Sequence, residues 1–261
     1  MARDSTGYTI GFAVVVCVVC GIGVAGAAVA LSERQAENKV LDQQKQVLYV
    51  AGLLQPGQAS KPEEVTALFE KNIRREVIDL KTGKPAQGVD MATFDQRRAQ
   101  KDPATSTAAP DNAAKVFRLP NNALVYHVLK DGKTDMLILP IQGYGLWSVL
   151  YGYLALASDG NTVKGITFYQ HAETPGLGGE VDNPKWKALW PGRKIYNDNG
   201  QPALAVIKGQ AGPPESDPYR IDGLSGATIT SNGVTNTIKF WFSKDGFGPY
   251  LDQFRKSQGR S

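Results

Sequence analysis

From Ser5 to Ser32 the chain runs for 28 consecutive positions without a charged side chain, and no other feature limits its architecture so strongly. Within that stretch Thr9 to Leu31 is 23 mostly apolar residues, roughly 34 Å long as a helix and so able to cross a bilayer. A cleavable signal sequence is the competing reading, since Ala28-Val29-Ala30 has the small residues of a cleavage site. The run is longer than the usual signal core, and only Arg3 and the amino terminus precede it as positive charge, which favours a retained anchor. Gly21/Ala25 and Gly23/Ala27 are small pairs four apart, a face that lets a neighbouring membrane helix pack closely. Arg34, Lys39 and Lys45 after the run weakly favour a cytoplasmic C-terminal part, although long domains translocate despite such bias.

An anchor divides the chain into a short N-terminal segment 1–8, a membrane helix 9–31, a helical and irregular region 32–112, and a soluble domain 113–261. Both cysteines, Cys17 and Cys20, fall inside the apolar run with no histidine near them, so they read as small hydrophobes rather than metal or redox ligands. With 29 basic and 25 acidic residues the charge is too balanced for a nucleic-acid partner.

Beyond the anchor, the apolar stripe Val40, Val47, Leu48, Ala51, Leu54 predicts a helix over 33–54, ended by Pro56-Gly57, and a second helix follows over 62–73. Residues 76–80 read as a strand, and the polar, Ala/Thr/Pro-rich stretch 87–111 as an exposed excursion. Residues 123–129 and 134–141 flank Lys130-Asp131-Gly132-Lys133, a hairpin signal. Further strands are expected at 147–155, 162–169 and 203–207, with helices at 183–189, 231–243 and 250–256. No βαβ rhythm is present, so the fold class is α+β, with a twisted, largely antiparallel sheet and flanking helices.

Asp222-Gly-Leu-Ser-Gly-Ala-Thr228 is a small-residue loop that leads into a helical pattern marked by Val234, Ile238, Trp241 and Phe242, with Ser231-Asn232-Gly233 as capping groups. Such a loop is an anion site in physical terms, because unpaired N–H groups and the positive helix end both face it. Gly223 and Gly226 allow close backbone approach, and Ser225 and Thr228 add hydroxyls. A plain glycine turn is the alternative. Three other segments belong with it: 142–147 with Leu146 and Trp147, 171–180 with Glu173, Thr174, Gly176 and Leu177, and Val206-Ile-Lys208-Gly209. Each alone reads as a turn. Together they fit a flavin pocket, in which Leu146, Trp147 and Leu177 cover an apolar ring while backbone groups, Glu173 and Thr174 address its polar edge. Lys208 is a candidate for the phosphate or the flavin. Walker A, G-x-G-x-x-G and H-E-x-x-H patterns are absent, so direct NADH oxidation by this chain is not expected.

The seven-residue loop resembles the D-x-x-[ST]-G-A-T flavinylation motif, in which FMN is joined through its phosphate to the last threonine, here Thr228. Glu173-Thr-Pro-Gly-Leu-Gly178 and Ser225-Gly-Ala-Thr228 resemble the signatures of FMN-binding domains in two families. These are the NqrC family of the sodium-translocating NADH:quinone reductase and the RnfG family of the Rnf electron-transport complex. The shared domain spans 143–242, and the length before Ala113 together with 140–147 is closer to the quinone-reductase family. The resemblance implies a covalent FMN on Thr228, held by Asp222, Gly223, Leu224, Ser225, Gly226, Ala227, Thr230, Leu146, Trp147, Glu173, Thr174, Gly176, Leu177 and Lys208. It implies no catalytic residue, and it gives Asp222 to recognition by the attaching enzyme. It further implies a periplasm-facing domain on a bacterial inner membrane. The implied partners are the other membrane subunits of a complex coupling NADH oxidation and ubiquinone reduction to Na+ movement, and a flavin transferase during maturation. An Rnf-like flavin subunit, or a cofactor-free membrane-tethered binding module, are the alternatives.

Overall fold

The computed structural model describes residues 5–55, 57, 60–91 and 93–258; the expected helix stop at Pro56 and the Arg3 charge lie outside them. Two compact units are distinguishable, Met1–Gln44 and Lys45–Ser261. From Thr6 on, the described part of the first is helix. Helix α1 runs without a break over Thr6–Val50, and its most apolar window is wholly unburied. The apolar pattern divides this length into a span and a separate helix from Glu33; the structure joins them. No glycine or proline stands between Leu31 and Val50 to interrupt the backbone ladder, so one helix results. It ends at Gly52, whose φ of +71° is the left-handed cap that glycine adopts cheaply, with Leu53 N donating to Leu48 O.

The second unit is built on a five-stranded sheet of order β1-β4-β5-β6-β7, every neighbouring pair antiparallel. Its strands are β1 (Ile73–Asp79), β4 (Asn122–Lys130), β5 (Lys133–Tyr144), β6 (Val149–Ala157) and β7 (Val163–Gln170). The expected hairpin joins β4 to β5, and Asp131 and Gly132 both take positive φ, as its tight turn demands. Helix α2 (Pro62–Asn72) starts with Lys61 N donating to Glu64 and packs Phe69 edge-on against Tyr126. The stretch 87–111, expected to be irregular, contains helix α3 (Gln96–Lys101) and strand β2 (Ser106–Ala108), which pairs with β3 (Arg118–Pro120). Two specific contacts override its loop-like composition: Asp95 caps α3, accepting from Arg97 N and Arg98 N, and the Arg118 guanidinium grips Ser106.

After β7 come a 3₁₀ turn (Gly178–Asp182), a four-residue α4 (Pro184–Lys187), and the two-residue strands β8 (Ala205–Val206) and β9 (Arg220–Ile221). The last two form the one parallel pairing among the described residues. Helices α5 (Thr228–Trp241) and α6 (Gly248–Ser257) close the chain.

The core lies between α5 and one face of the sheet. Leu137, Leu139 and Ile141 of β5 and Leu150, Leu154 and Leu156 of β6 alternate inward and meet Val234, Ile238 and Trp241. Each large side chain so buried stabilises the fold by about 1.5–3 kcal/mol. Trp241 also donates from its indole nitrogen to Gln142 O at 2.6 Å, which fixes α5 against the end of β5.

The crossing of α5 over β5 is close enough to require glycine. A Cβ on Gly233 would lie 2.3 Å from Tyr144 O and 3.0 Å from Gly145 Cα. Alanine is the better helix former by about 1 kcal/mol. Gly233→Ala is nevertheless expected to destabilise the protein by about 1–3 kcal/mol, because the helix must lift off β5. The denaturant midpoint measures this, and a midpoint shifted upward would contradict the packing argument.

Candidate functional site

Helix α5 begins at Thr228, three residues before the expected start, with Ala227 as its N-cap. Ser231 is not a cap. It is buried, and its hydroxyl accepts from Leu224 N at 3.2 Å, tying the 222–227 loop back onto the first turn. The loop therefore ends in the helix rather than preceding it. Thr228 is the first helical residue and is exposed, beside main-chain N–H groups that have no partner one turn back.

The loop is held from below by a bend at 207–212. Ile207 N donates to Ile221 O, Gly223 N to Gly209 O, and Ala211 N to the Asp222 carboxylate, each at 2.9 Å. A Cβ on Gly223 would meet Ile207 O at 2.2 Å, so only glycine lets the two chains run this close. Trp186 donates from its indole nitrogen to Asp222 O. The result is a cleft of about 520 Å³ lined by Lys208, Gly209, Ser225, Gly226, Thr228 and Asn232 among others. The structure thus brings Lys208 to the same cleft as Thr228, and it spends the Asp222 carboxylate on the bend beneath them.

Glu173 joins the remaining segments. It is buried, and its carboxylate accepts from Leu146 N (3.1 Å), Trp147 N (3.0 Å), Ser148 N (3.4 Å) and Thr230 Oγ1 (2.5 Å). Burial works to raise its pKa, but the Thr230 hydroxyl and the three amides together hold it below the ordinary carboxyl value. The sequence pattern assigns this side chain to the edge of a ligand. In the structure its oxygens face the protein, and a Cβ on Gly145 or Gly178 would collide with them at 2.6 Å. His171 stands behind, accepting from Glu173 N on Nδ1 and paired with Asp182 through Nε2 at 2.7 Å.

The outer surface of this arrangement is apolar and uncovered. Leu146, Trp147 and Leu177 on ordered turns, and Ile229 in the first turn of α5, are 44–66% exposed. Leu177 lies over Gly226, whose φ is +70°; a Cβ there would sit 2.9 Å from Leu177 Cδ2. Gly176, at φ +76°, makes the bend that carries Leu177, while Thr174 is exposed and its carbonyl accepts from Leu177 N and Gly179 N. The residues singled out in the sequence all fall in one region. Sequence reasoning missed Ile229, which extends the apolar wall beside Thr228, and the locking roles of Ser231 and Gly233. The helical period continued back from Val234 to Thr230 carried that signal.

A polar cleft at a helix start beside an apolar wall suits a phosphate-bearing, flat aromatic group. Residues 145–243 match the model of the FMN-binding domain family, which makes this an α+β FMN-binding domain in a chain with one long apolar helix among the described residues. The chain is 50% identical to the C subunit of Na(+)-translocating NADH-quinone reductase from Pseudomonas aeruginosa, over 98% of each chain. It is 46% identical to the same subunit from Yersinia pestis, over 97% of this chain and 95% of that one. The crystal structure of NqrC from Shewanella oneidensis superposes with a TM-score of 0.76 at 36% identity, covering 85% of this chain and 99% of the other. The chain belongs to the NqrC family, the C subunits of Na(+)-translocating NADH-quinone reductases.

Proposed function

We propose that the chain is an electron-carrying subunit whose FMN is esterified through its phosphate to the Thr228 hydroxyl. The observation that carries this is the position of Thr228: first residue of α5, exposed, and in one cleft with Lys208 at the start of a helix that has no side-chain cap among the described residues. Those groups would receive a phosphate, the helix end and Lys208 supplying positive potential. The residues fit the rest of FMN as well. Leu146, Trp147, Leu177 and Ile229 present apolar surface that the protein leaves exposed, and Thr174, on the segment that carries Leu177, is exposed as well.

FMN, when bound, supplies one- and two-electron redox chemistry that no side chain here has. The division of labour among the residues follows from their contacts. Thr228 anchors, and because the linkage is at the phosphate end it leaves tuning of the ring to the apolar wall and nearby amides. Glu173 fixes the Leu146–Trp147 turn and the first turn of α5 as one piece, so wall and anchor keep their spacing. Asp222 serves the same end from below, through Ala211 N. Gly176 and Gly226 give Leu177 its place.

In this reading α1 anchors the chain in a bacterial inner membrane, and the domain built on the five-stranded sheet, which takes β1, α3 and β2 from the stretch 32–112 expected to be membrane-proximal, lies on the periplasmic side. A flavin transferase loads Thr228 there. The other subunits of the NADH:quinone reductase oxidise NADH and reduce ubiquinone, and this chain relays electrons between them as Na+ is moved. The test is a proteolytic peptide map of protein made in a host that carries the transferase. The peptide containing Thr228 is expected to bear the mass of FMN less one water; the same peptide recovered unmodified would reject the assignment.

A further inference from the structure

A second surface lies beside the flavin site, where α3, the 112–118 loop and the ends of β5 and β6 enclose a cleft of about 350 Å³. Four cationic side chains line it, Arg97, Lys101, Lys115 and Arg118, and no carboxylate does. The two arginines are engaged within the protein. The Arg97 guanidinium lies 3.7 Å above the Tyr151 ring and donates to Gln170, and Arg118 is spent on Ser106. Among the described residues no carboxylate pairs with Lys101 or Lys115, and both are exposed.

Hydrogen bonds brace the loop that carries Lys115. Asn112 accepts from Val116 N and donates to Pro110 O and Val116 O; Ala114 O accepts from Tyr144 N, and Asn236 donates to Ala113 O. Ala114 and Val116 are buried in the core, so Lys115 and Phe117 are turned outward together. Lys115 holds φ at +53°, a conformation lysine adopts only where its surroundings enforce it. Phe117 is 72% exposed, and its ring stands edge-to-face with that of Tyr144, the residue that leads into Leu146 and Trp147. Phe117 thus projects from a well-braced loop beside two exposed lysines, with most of its ring in water.

We infer that Lys101, Lys115 and Phe117 form the docking surface for another protein subunit of the complex, one presenting carboxylates around an apolar pocket. Two unpaired lysines flanking a projecting aromatic ring are the charged rim and anchor of a small transient interface. Lysine rim charges govern the encounter rate more than the affinity, which suits partners that meet and separate at each turnover. A small anion would call on the guanidinium groups, which are engaged within the protein, whereas Phe117 offers an exposed apolar ring. Tyr144 connects this surface to the Leu146–Trp147 turn, so a docked partner sits next to the flavin site. This role rests on the electron-carrying function proposed above; the docking contact does not depend on how flavin is attached.

Two experiments on the assembled complex in membranes test it. The first places a photoreactive group by Phe117→p-benzoylphenylalanine and maps the products of illumination by mass spectrometry. An adduct to a carboxylate-bearing segment of another subunit is expected. Adducts confined to lipid, to a small anion or to this chain itself, or no adduct, would overturn the inference. The second compares flavin reduction and reoxidation in wild type and Lys101→Glu/Lys115→Glu. At low ionic strength the double variant should slow one of them by about tenfold, the gap closing as salt rises. Unchanged rates in a variant with full flavin content would also overturn it. Absence of covalent flavin from the wild type would instead count against the Thr228 proposal, and the cross-link would still decide the surface.

Discussion

Thr228→Ala is expected to remove all flavin fluorescence from the denatured polypeptide while leaving the folded protein almost as stable as the parent. The first half follows from the linkage proposed at this hydroxyl, since a phosphoester needs an oxygen that alanine lacks. The second half follows from the surroundings of the side chain. Thr228 is exposed, and its hydroxyl makes no hydrogen bond among the described residues. The cap is Ala227, so no capping contact is lost, and alanine is at least as good a helix former as threonine. The change in stability should stay within about 0.5 kcal/mol. Asn232→Ala is the companion variant: the next turn of α5, in the same cleft and also exposed, but outside the seven-residue motif, so its gel band should remain fluorescent. Both proteins must be made where the transferase is present. A fluorescent band from Thr228→Ala would end the assignment, and an unfolded Thr228→Ala would mean the loop depends on this hydroxyl in a way its contacts do not reveal.

Local chemistry made much of this legible in the sequence. The Asp131-Gly132 turn and its alternating flanks give β4 and β5 because side-chain period and turn geometry are both encoded within a few residues. The small-residue loop before α5 is legible for the same reason. What the sequence hid depends on distant partners. Gln96–Lys101 is helical although its neighbours look like loop, because Asp95 caps it and Arg118 holds the following turn. Ser231 looks like a cap because serine usually is one, but here the loop 224–227 folds back onto it. Strand β9 has two residues and no pattern; its pairing with β8 comes from the close pass that Gly223 permits. Glu173 shows the difference best. Its membership of the site was readable from its segment, whereas its orientation was not, because the four donors that turn it inward come from residues 146–148 and 230.

Glu173 is therefore the residue whose loss should separate the placing of the flavin from its attachment. Glu173→Ala leaves three main-chain amides and the Thr230 hydroxyl without their acceptor, and opens space beside Gly145 and Gly178. The amides lie near the surface, where water can satisfy part of the loss, so a destabilisation of about 2–4 kcal/mol is expected rather than the sum of four buried penalties. Glu173→Gln keeps one acceptor oxygen but presents an N–H₂ group and no charge to donors, and should cost about 1–2 kcal/mol. In both variants Thr228 is intact, so the denatured band stays fluorescent. The native flavin spectrum, however, should move toward that of flavin in water, because Leu146 and Trp147 lose the contact that positions them. Acid should abolish the difference between wild type and Glu173→Gln. The folded pKa of Glu173 is depressed, so its contribution is fully present above the unfolded carboxyl value of about 4.3 and is lost as pH falls through the lower folded value. Denaturation midpoints of the two proteins should stay apart at neutral pH and converge only on the acid side of that value. Convergence already at about pH 6, well above that carboxyl range, or a Glu173→Ala protein with an unaltered native flavin spectrum, would show that the carboxylate does not hold the wall and the anchor together.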